Sequence, residues 1–158
     1  EIVKKRTAQG FSDDSAWARG QAWGLYGYTM MYRMTGEQRY LEQAVKIAEY
    51  ILPHLPEDAI PNWDFDADVQ MKDSSAGAIM ASAFIELYGF TQNKEYLTMA
   101  ERQLRSLASD AYLAPLGENG YFILKHGVGH LPANTEVDVP LSYGDYYFVE
   151  AAMRYLAL

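Results

Sequence analysis

The segment from residue 9 to residue 24 concentrates side chains that could bind a polar ligand. Trp17, Arg19 and Trp23 stand there among small and aromatic residues, and the run NWDFD at 62–66 adds an amide, two carboxylates and further rings. Aromatic rings cover the apolar C–H faces of sugars, while polar groups hold sugar hydroxyls. The pattern therefore favours carbohydrate binding. The alternative is that the two Trp residues, six positions apart, belong to the core.

Arg19 is the charged residue that most requires a partner. It falls in the first turn of a predicted helix that is otherwise nearly free of charge, and cations are disfavoured at that end of a helix. Burial of its guanidinium needs a nearby anion. The anion is either a carboxylate of the ligand or an internal one, for which the sequence offers Asp13, Asp14 and Asp73.

A metal site is not predicted. Asp64, Asp66 and Asp68 imitate the start of a calcium-binding loop, but its sixth position is Val69 rather than Gly and its twelfth is Ser75 rather than Glu. The three histidines have no metal-ligand spacing, and the chain has no Cys, Gly-rich phosphate loop or nucleophile elbow.

The composition excludes several classes of partner. The 158 residues carry a net charge of −8, which disfavours nucleic acids and anionic membranes. The longest charge-free runs, 20–32 and 74–85, are too short to cross a bilayer. The absence of Cys is compatible with a reducing or an oxidising compartment, so cytoplasm and periplasm both stay open. No apolar stretch follows Lys4 to Arg6, and no Met begins the chain, so we expect it to be part of a longer sequence.

Five helices are predicted from the periodicity of apolar residues. Charge-poor segments at 15–34, 75–87 and 141–156 are typical of enclosed helices, and they alternate with amphipathic, half-exposed helices at 40–51 and 96–107. The sequence therefore predicts an all-α fold.

The first two helix pairs resemble each other. Five residues recur after a shift of 56 positions, namely Tyr32, Thr35, Tyr40, Leu41 and Ala44 with Tyr88, Thr91, Tyr96, Leu97 and Ala100. Such a repeat indicates stacked helical hairpins. The alternative is a coincidence between two pairs in a helical bundle. We also expect Pro53 and Pro56 to end the second helix.

An array of two and a half hairpins leaves the flanks of its inner helices exposed. We expect either that further hairpins close a ring or that the chain associates with itself. In such an array the inner helices begin at one end, so Trp17, Arg19, Asp73 and either Tyr143 or Asp145 should meet at one mouth.

Three blocks of the sequence resemble a known family. The run QGFSDDSAWARGQAWG at 9–24, WDFD at 63–66 followed by DSSA at 73–76, and GDYYF at 144–148 are similar to the unsaturated glucuronyl hydrolases of glycoside hydrolase family 88. The related family 105, the unsaturated rhamnogalacturonyl hydrolases, shares a looser Trp-x-Arg-Gly-x-x-Trp pattern.

The resemblance implies an (α/α)6 barrel of six helical hairpins, of which residues 1–158 would be the C-terminal part of a single catalytic domain, an incomplete barrel. It also implies hydrolysis of lyase-generated oligosaccharides that carry a 4,5-unsaturated uronic acid at the non-reducing end. In that reaction an aspartic acid protonates C4 of the vinyl ether and assists water attack at C5, without a metal or an organic cofactor. The two aspartates that the family uses lie upstream of the matched region, so no catalytic residue is expected here.

The resemblance carries over a set of substrate-binding positions, Gln9, Trp17, Arg19 and Trp23. Further candidates from the predicted mouth and its loops are Trp63, Asp73, His130, Asn134, Tyr143 and Asp145. One stretch departs from the family pattern: some members hold a sulfate with a Ser-x-x-Ser-x-Lys loop, whereas residues 130–135 read HLPANT. This argues against a preference for sulfated fragments. A non-catalytic helical sugar-binding module is the alternative function.

Overall fold

The computed structural model describes residues 3–4 and 6–158 and contains five long helices and one small antiparallel sheet. The helices are α1 (Ala18–Thr35), α2 (Gln38–His54), α3 (Ser74–Thr91), α4 (Lys94–Leu107) and α5 (Ser142–Leu156), and the strands are β1 (Gly127–His130) and β2 (Thr135–Val139). All five predicted helices are present, with ends within a few residues of those expected.

The helices alternate between an inner row and an outer row, as predicted. Helix α3 lies in the middle and packs against α1, α4 and α5, while α2 packs mainly on α1. Every residue of α3 from Ser74 to Ile85 is buried, because its many Ala, Gly and Ser side chains allow neighbours to approach closely. At Gly77, for example, a Cβ would lie 2.9 Å from the Cδ1 of Ile60. The molecule is therefore an incomplete (α/α) barrel of hairpins that does not close.

The two hairpins end their inner helices in the same way. Gly36 is the C-cap of α1 and Gln92 is the C-cap of α3. Both have left-handed backbone (φ 71° and 58°), and each cap N–H donates to the carbonyl four residues earlier. The two caps are 56 positions apart, which matches the period found in the sequence. The structural repeat supports the stacked-hairpin interpretation.

The predicted end of helix α2 is wrong. Helix α2 does not stop before Pro53 but continues through it to His54, and Leu55 is its C-cap. Pro53 removes only the N–H that would donate to the carbonyl of Glu49, so it costs one hydrogen bond near the end of the helix. The imidazole Nδ1 of His54 lies 2.6 Å from the carbonyl oxygen of Tyr50 and gives that carbonyl a side-chain partner.

The β1–β2 hairpin was not predicted. It lies in the long connection between α4 and α5 and pairs Val128 with Val137 and His130 with Thr135. Three residues of the second half, Asn134, Glu136 and Asp138, have left-handed φ angles between 52° and 54°. These angles and the short strands explain why no alternation of apolar and polar residues marked the hairpin.

The outer face of α5 is apolar and exposed. Tyr146, Val149, Met153 and Leu156 are 61%, 43%, 67% and 85% accessible and line or border a shallow groove. The expectation that an open array exposes a flank of an inner helix is confirmed here. In the described part of the chain, the helices lack the length and apolar character needed to cross a membrane.

The loop from Glu57 to Lys72 is fixed to the helices by Asp58. Its carboxylate accepts from the Nζ of Lys72 and the hydroxyl of Tyr112, both at 2.7 Å, and its carbonyl accepts from Ser106. Partial burial alone raises the pKa of Asp58, but the hydrogen bonds from Lys72 and Tyr112 outweigh it and hold the pKa below its ordinary value.

We expect this interaction to make stability depend on pH. Because the folded pKa of Asp58 lies below the unfolded value of about 4, its contribution is complete above that value and is lost as the pH falls through the lower folded pKa. Lys72 and Asp58 are about one-third exposed, so the contribution is about 1 kcal/mol or less. Urea midpoints between pH 7 and pH 3 should fall less steeply for Asp58→Asn than for the unsubstituted protein. Asp110→Asn, at an exposed position, is the control, and equal slopes in all three proteins would contradict the assignment.

Candidate functional site

The starts of α1, α3 and α5 bring four of the predicted residues together. The guanidinium carbon of Arg19 lies 4.8 Å from the ring centroid of Trp17 and 5.4 Å from that of Tyr143. Its Nη1 lies 2.6 Å from the Oδ2 of Asp73. The predicted gathering of Trp17, Arg19, Asp73 and Tyr143 is therefore confirmed as geometry, and a role of these residues in ligand binding stays a prediction.

Arg19 is nearly inaccessible, with 2% exposure, and its partners come from two separate parts of the chain. Nη1 donates to Asp73 and to the carbonyl of Val128, and Nη2 donates to the carbonyl of Gly129 at 2.5 Å. Of the three acidic residues that the sequence offered as an internal counter-ion, Asp73 is the one that pairs with it. The guanidinium thus holds strand β1 against the start of α3.

Asp73 is wholly buried and accepts hydrogen bonds with both carboxylate oxygens. Oδ1 accepts from the backbone N–H groups of Ser75 and Ala76, from the Ser75 hydroxyl at 2.6 Å and from the Val128 N–H at 3.4 Å. It is the N-cap of α3 as well as the counter-ion of Arg19. The sequence suggested a contact of Asp73 with substrate, whereas the structure gives its oxygens to protein donors.

Aromatic rings form one wall of the cluster. Trp23 packs against Tyr143 and Tyr147 with centroid distances of 6.2 and 5.2 Å, and the Trp17 ring lies against the guanidinium of Arg19. All four rings are half-buried, so each keeps an exposed portion. At Gly20 a Cβ would lie 2.8 Å from the Trp17 ring, so the glycine lets the indole lie flat on α1. Trp17 and Trp23, six residues apart, do contribute to one region.

The Tyr143 hydroxyl keeps its proton at neutral pH. Burial raises its pKa, the negative charges of Asp73 and Glu136 raise it further, and the positive charge of Arg19 opposes them. A protonated phenol can donate a hydrogen bond to a ligand oxygen as well as accept one. Glu136, whose charge acts on this hydroxyl, was not among the residues singled out in the sequence.

The N-terminal segment and the β1–β2 hairpin are tied together by two predicted residues. Gln9 donates from Nε2 to the carbonyl of Gly129 at 2.9 Å, and Nε2 of His130 lies 2.8 Å from the carbonyl of Ala8. Both side chains thus have protein partners. Asn134 is exposed in the turn between the strands, where it caps a short helix with left-handed backbone.

The WDFD run clamps the loop that precedes α1. Asp64 is 1% exposed and accepts from the Phe11 N–H and the Ser15 hydroxyl, and Asp66 accepts from the Ala16 N–H at 2.7 Å. Trp63 is 4% exposed and packs with Val128. It therefore has almost no accessible surface with which to make the predicted contact with substrate. The run therefore fixes the segment that precedes Trp17, and so fixes the position of Trp17.

Asp145 does not join the cluster. Its two oxygens accept from the backbone N–H groups of Ile123 and Leu124 at 2.8 and 2.9 Å, on the side of α5 away from Tyr143. The sequence left Tyr143 and Asp145 open as alternatives, and the two-residue spacing on a helix sends them to different faces. Within residues 3–4 and 6–158, no group of three or more His, Asp and Glu residues is arranged to hold a metal ion.

The sequence matches no family model. It is 50% identical over 159 residues to an unsaturated glucuronyl hydrolase of Formosa agariphila, and 37% identical over 161 residues to an unsaturated chondroitin disaccharide hydrolase of Streptococcus pyogenes. Both matches cover 97% of this chain and 40% of the relative. The chain thus spans about two-fifths of the length of the curated relatives it matches.

Solved structures share the fold. An unsaturated glucuronyl hydrolase specific for heparin superposes with a TM-score of 0.97 at 48% identity, over 99% of this chain and 44% of that one. The enzyme of Bacillus sp. GL1, responsible for the degradation of glycosaminoglycan, gives 0.92 at 30% identity over 98% of this chain and 43% of that one. In sequence and in fold, the chain matches, over nearly its whole length, one part of the unsaturated glucuronyl hydrolases.

Proposed function

We propose that the intact protein is a hydrolase that removes a 4,5-unsaturated uronic acid from the non-reducing end of lyase-generated oligosaccharides. The observation that carries the proposal is the 50% identity, over 97% of the chain, to a relative named for this activity. The cluster of Trp17, Arg19, Trp23 and Tyr143 at the helix starts agrees with it, because rings and polar groups together suit a sugar.

The 158 residues are, in this proposal, the C-terminal part of one (α/α)6 catalytic domain. The exposed apolar face of α5 is then covered by further hairpins of the same barrel, and the matched length of about 40% agrees with this arrangement. A second copy of the chain is the alternative cover. The catalytic aspartates would come from the remainder of the domain.

The chemistry proposed is hydration of a vinyl ether. A neutral aspartic acid delivers its proton to C4, and water adds its oxygen to C5 while losing a proton to the carboxylate. The resulting hemiketal opens and the glycosidic bond breaks, which releases the shortened sugar. Such an acid must stay protonated near neutral pH, which needs an apolar or like-charged setting.

The described residues would bind and orient the substrate. Trp17, Trp23 and Tyr143 would cover the faces of the sugar rings, and the Tyr143 hydroxyl would donate to a sugar oxygen. Arg19 and Gln9 hold the β1–β2 hairpin beside this surface through the Gly129 carbonyl, and so would act on the substrate by positioning these groups.

Glycosaminoglycan fragments are the proposed substrates. One similar solved structure is of an enzyme specific for heparin, curated relatives are named for unsaturated chondroitin disaccharides, and a relative from Streptococcus agalactiae has been solved with dGlcA-GalNAc6S. Unsaturated rhamnogalacturonides, the substrates of family 105, are the alternative within the same chemistry.

The test is an assay of the intact protein with unsaturated disaccharides prepared by lyases from heparin, chondroitin and hyaluronan. We expect the ultraviolet absorbance of the vinyl ether to disappear with time, and the saturated disaccharides to remain intact. Binding of these sugars without any loss of absorbance would instead identify a non-catalytic module. Turnover of unsaturated rhamnogalacturonide alone would assign the family 105 reaction.

A further inference from the structure

Two helices of the candidate site carry matching stripes of side chains. On each helix, three residues follow the spacing i, i+4 and i+7, which places them on one face. The stripes are Arg19, Trp23 and Tyr26 on α1, and Tyr143, Tyr147 and Glu150 on α5. Helix α3 lies between these two helices and packs against both. Side-chain contacts between the stripes therefore help to set the distance between the two walls of the site.

The side chains of the two stripes form a continuous series of contacts. At the mouth, the Tyr143 ring lies against Arg19 and Trp23. One turn deeper, the Tyr147 ring makes edge-to-face contacts with two rings of α1, and its centroid lies 5.2 Å from that of Trp23 and 5.0 Å from that of Tyr26. Edge-to-face pairs depend on the relative orientation of both rings. A shift of Tyr26 is therefore expected to move Trp23 through the one ring that they share.

The series ends in a hydrogen bond that holds Tyr26. Its hydroxyl donates to the Oε1 of Glu150 at 3.1 Å, and the Oε2 of Glu150 accepts from the hydroxyl of Ser82, a buried residue of α3. The guanidinium carbon of Arg154 lies 5.5 Å from the Tyr26 ring centroid, and its Nη1 donates to Glu86 of α3 at 2.6 Å. Side chains of α3 and α5 thus hold the Tyr26 ring in one orientation.

The hydroxyl of Tyr26 is not needed to fill space. A phenylalanine at this position would pack in the same volume and would leave no polar group to be satisfied. What the hydroxyl adds is direction, because a hydrogen bond to Glu150 permits fewer ring orientations than apolar packing alone. Through Tyr147, that constraint acts on Trp23, one of the rings proposed to cover a sugar.

We propose that Tyr26, held by Glu150, is a positioning residue that fixes the Trp23 ring through Tyr147 for the binding of the sugar. The inference rests on the proposed function, since it takes an unsaturated uronide as the ligand. It adds two residues, Tyr26 and Glu150, that lie deeper along their helices than the mouth and act through other side chains. The expected consequence of losing their hydrogen bond is weaker binding of the substrate with unchanged chemistry.

The test replaces Tyr26 by Phe in the intact protein, which keeps the ring and removes the hydroxyl. The ligands are the three unsaturated disaccharides prepared from heparin, chondroitin and hyaluronan. We expect KM and the calorimetric Kd to rise by about threefold to tenfold, the range of one lost hydrogen bond, and kcat to stay within about twofold. A merely structural role would give another result, because a smaller folded fraction lowers the apparent kcat and leaves KM unchanged.

Near-ultraviolet circular dichroism supplies a readout that needs no ligand. The tryptophan bands depend on the surroundings of the indole rings, and they should change in Tyr26→Phe and in Glu150→Ala. Glu150→Gln keeps a carbonyl oxygen that can accept from Tyr26, so its tryptophan bands and its Kd should lie close to those of the unsubstituted protein.

Tyr155→Phe is the matched control, because it removes the same hydroxyl from another tyrosine–glutamate pair of α5. The Tyr155 hydroxyl donates to Glu101 of α4, and Tyr155 takes part in none of the contacts between the two stripes. KM, Kd and the tryptophan bands should therefore all be unaltered in this variant.

Unaltered KM and Kd in Tyr26→Phe, unaltered tryptophan bands, or changes of the same size in Tyr155→Phe would each overturn the inference. Failure of the unsubstituted protein to bind any of the three disaccharides would overturn it as well. Hydrolysis by the unsubstituted protein with an unchanged KM in Tyr26→Phe would leave the proposed function standing and reject the assignment of Tyr26. Binding without hydrolysis, with Kd shifted as described, would reject the proposed function and support the assignment.

Discussion

Replacement of Asp73 by Asn is expected to lower the free energy of unfolding of the intact protein by about 3–5 kcal/mol. The reason is the burial of its partner: Arg19 is 2% exposed and would keep its charge without a counter-ion. The new amide would also place N–H donors opposite the donors of Arg19 or of the first turn of α3. Urea or guanidinium unfolding curves give the change directly.

A comparison with a second helix cap separates the two roles of Asp73, as N-cap and as counter-ion. Asn93 is the exposed N-cap of α4 and accepts from the Glu95 N–H at 3.1 Å, but it has no ionic partner. Asn93→Ala should lower stability by only about 1 kcal/mol, the usual contribution of a cap. The double variant Arg19→Met with Asp73→Asn should recover a large part of the loss, since it removes the unpaired charge. A loss for Asp73→Asn no greater than that for Asn93→Ala would show that the ion pair contributes little.

Replacement of Arg19 should give the largest loss of activity. Arg19→Lys keeps the charge, but one ammonium cannot reach Asp73 and the Val128 and Gly129 carbonyls with the geometry of a guanidinium. The hairpin and the Tyr143 ring would then shift relative to Trp17. Misplacement of positioning groups by about 1 Å costs on the order of 100-fold in rate, and we expect a decrease of that order in kcat/KM, with a greater one for Arg19→Ala.

The measurement is the initial rate of vinyl-ether loss, accompanied by thermal unfolding to show that each variant is folded. Arg33→Ala is the matched control on the same helix. Arg33 lies in the last turn of α1, is 46% exposed and pairs with Glu86 of α3. It should retain activity within about twofold. Full activity in Arg19→Lys would mean that the site does not depend on the guanidinium geometry, and retained activity in Arg19→Ala would remove Arg19 from the site altogether.

The helices and their order could be predicted because each has a strong periodic pattern. The charge-poor stretch that became α3 and the apolar stripe of α4 differ clearly, and the shift of 56 residues linked the two hairpins. From the alternation of inner and outer helices, the meeting of Trp17, Arg19 and Tyr143 followed. The periodic pattern was sufficient for this part of the site, because the direction of the inner helices alone decides that these three residues meet.

The partners of individual polar groups could not be predicted in the same way. Asp73 and Asp145 look alike in the sequence, each beside the start of an inner helix, yet one pairs with Arg19 and the other holds the backbone of Ile123 and Leu124. Which backbone groups and side chains these carboxylates meet depends on loops whose paths have no periodic signal. Glu136 was missed for the same reason, since its position depends on an unpredicted hairpin and on the absent side chain of Gly129.

The attachment of the hairpin to the helices uses main-chain oxygens. Arg19 and Gln9 grip the carbonyls of Val128 and Gly129, which exist whatever side chains the hairpin carries. Residues 130–138 can therefore diverge in sequence while the attachment persists. If the proposed function holds, exchanging the side chains of this one small ribbon would change the oligosaccharide preference and leave the helical framework unaltered.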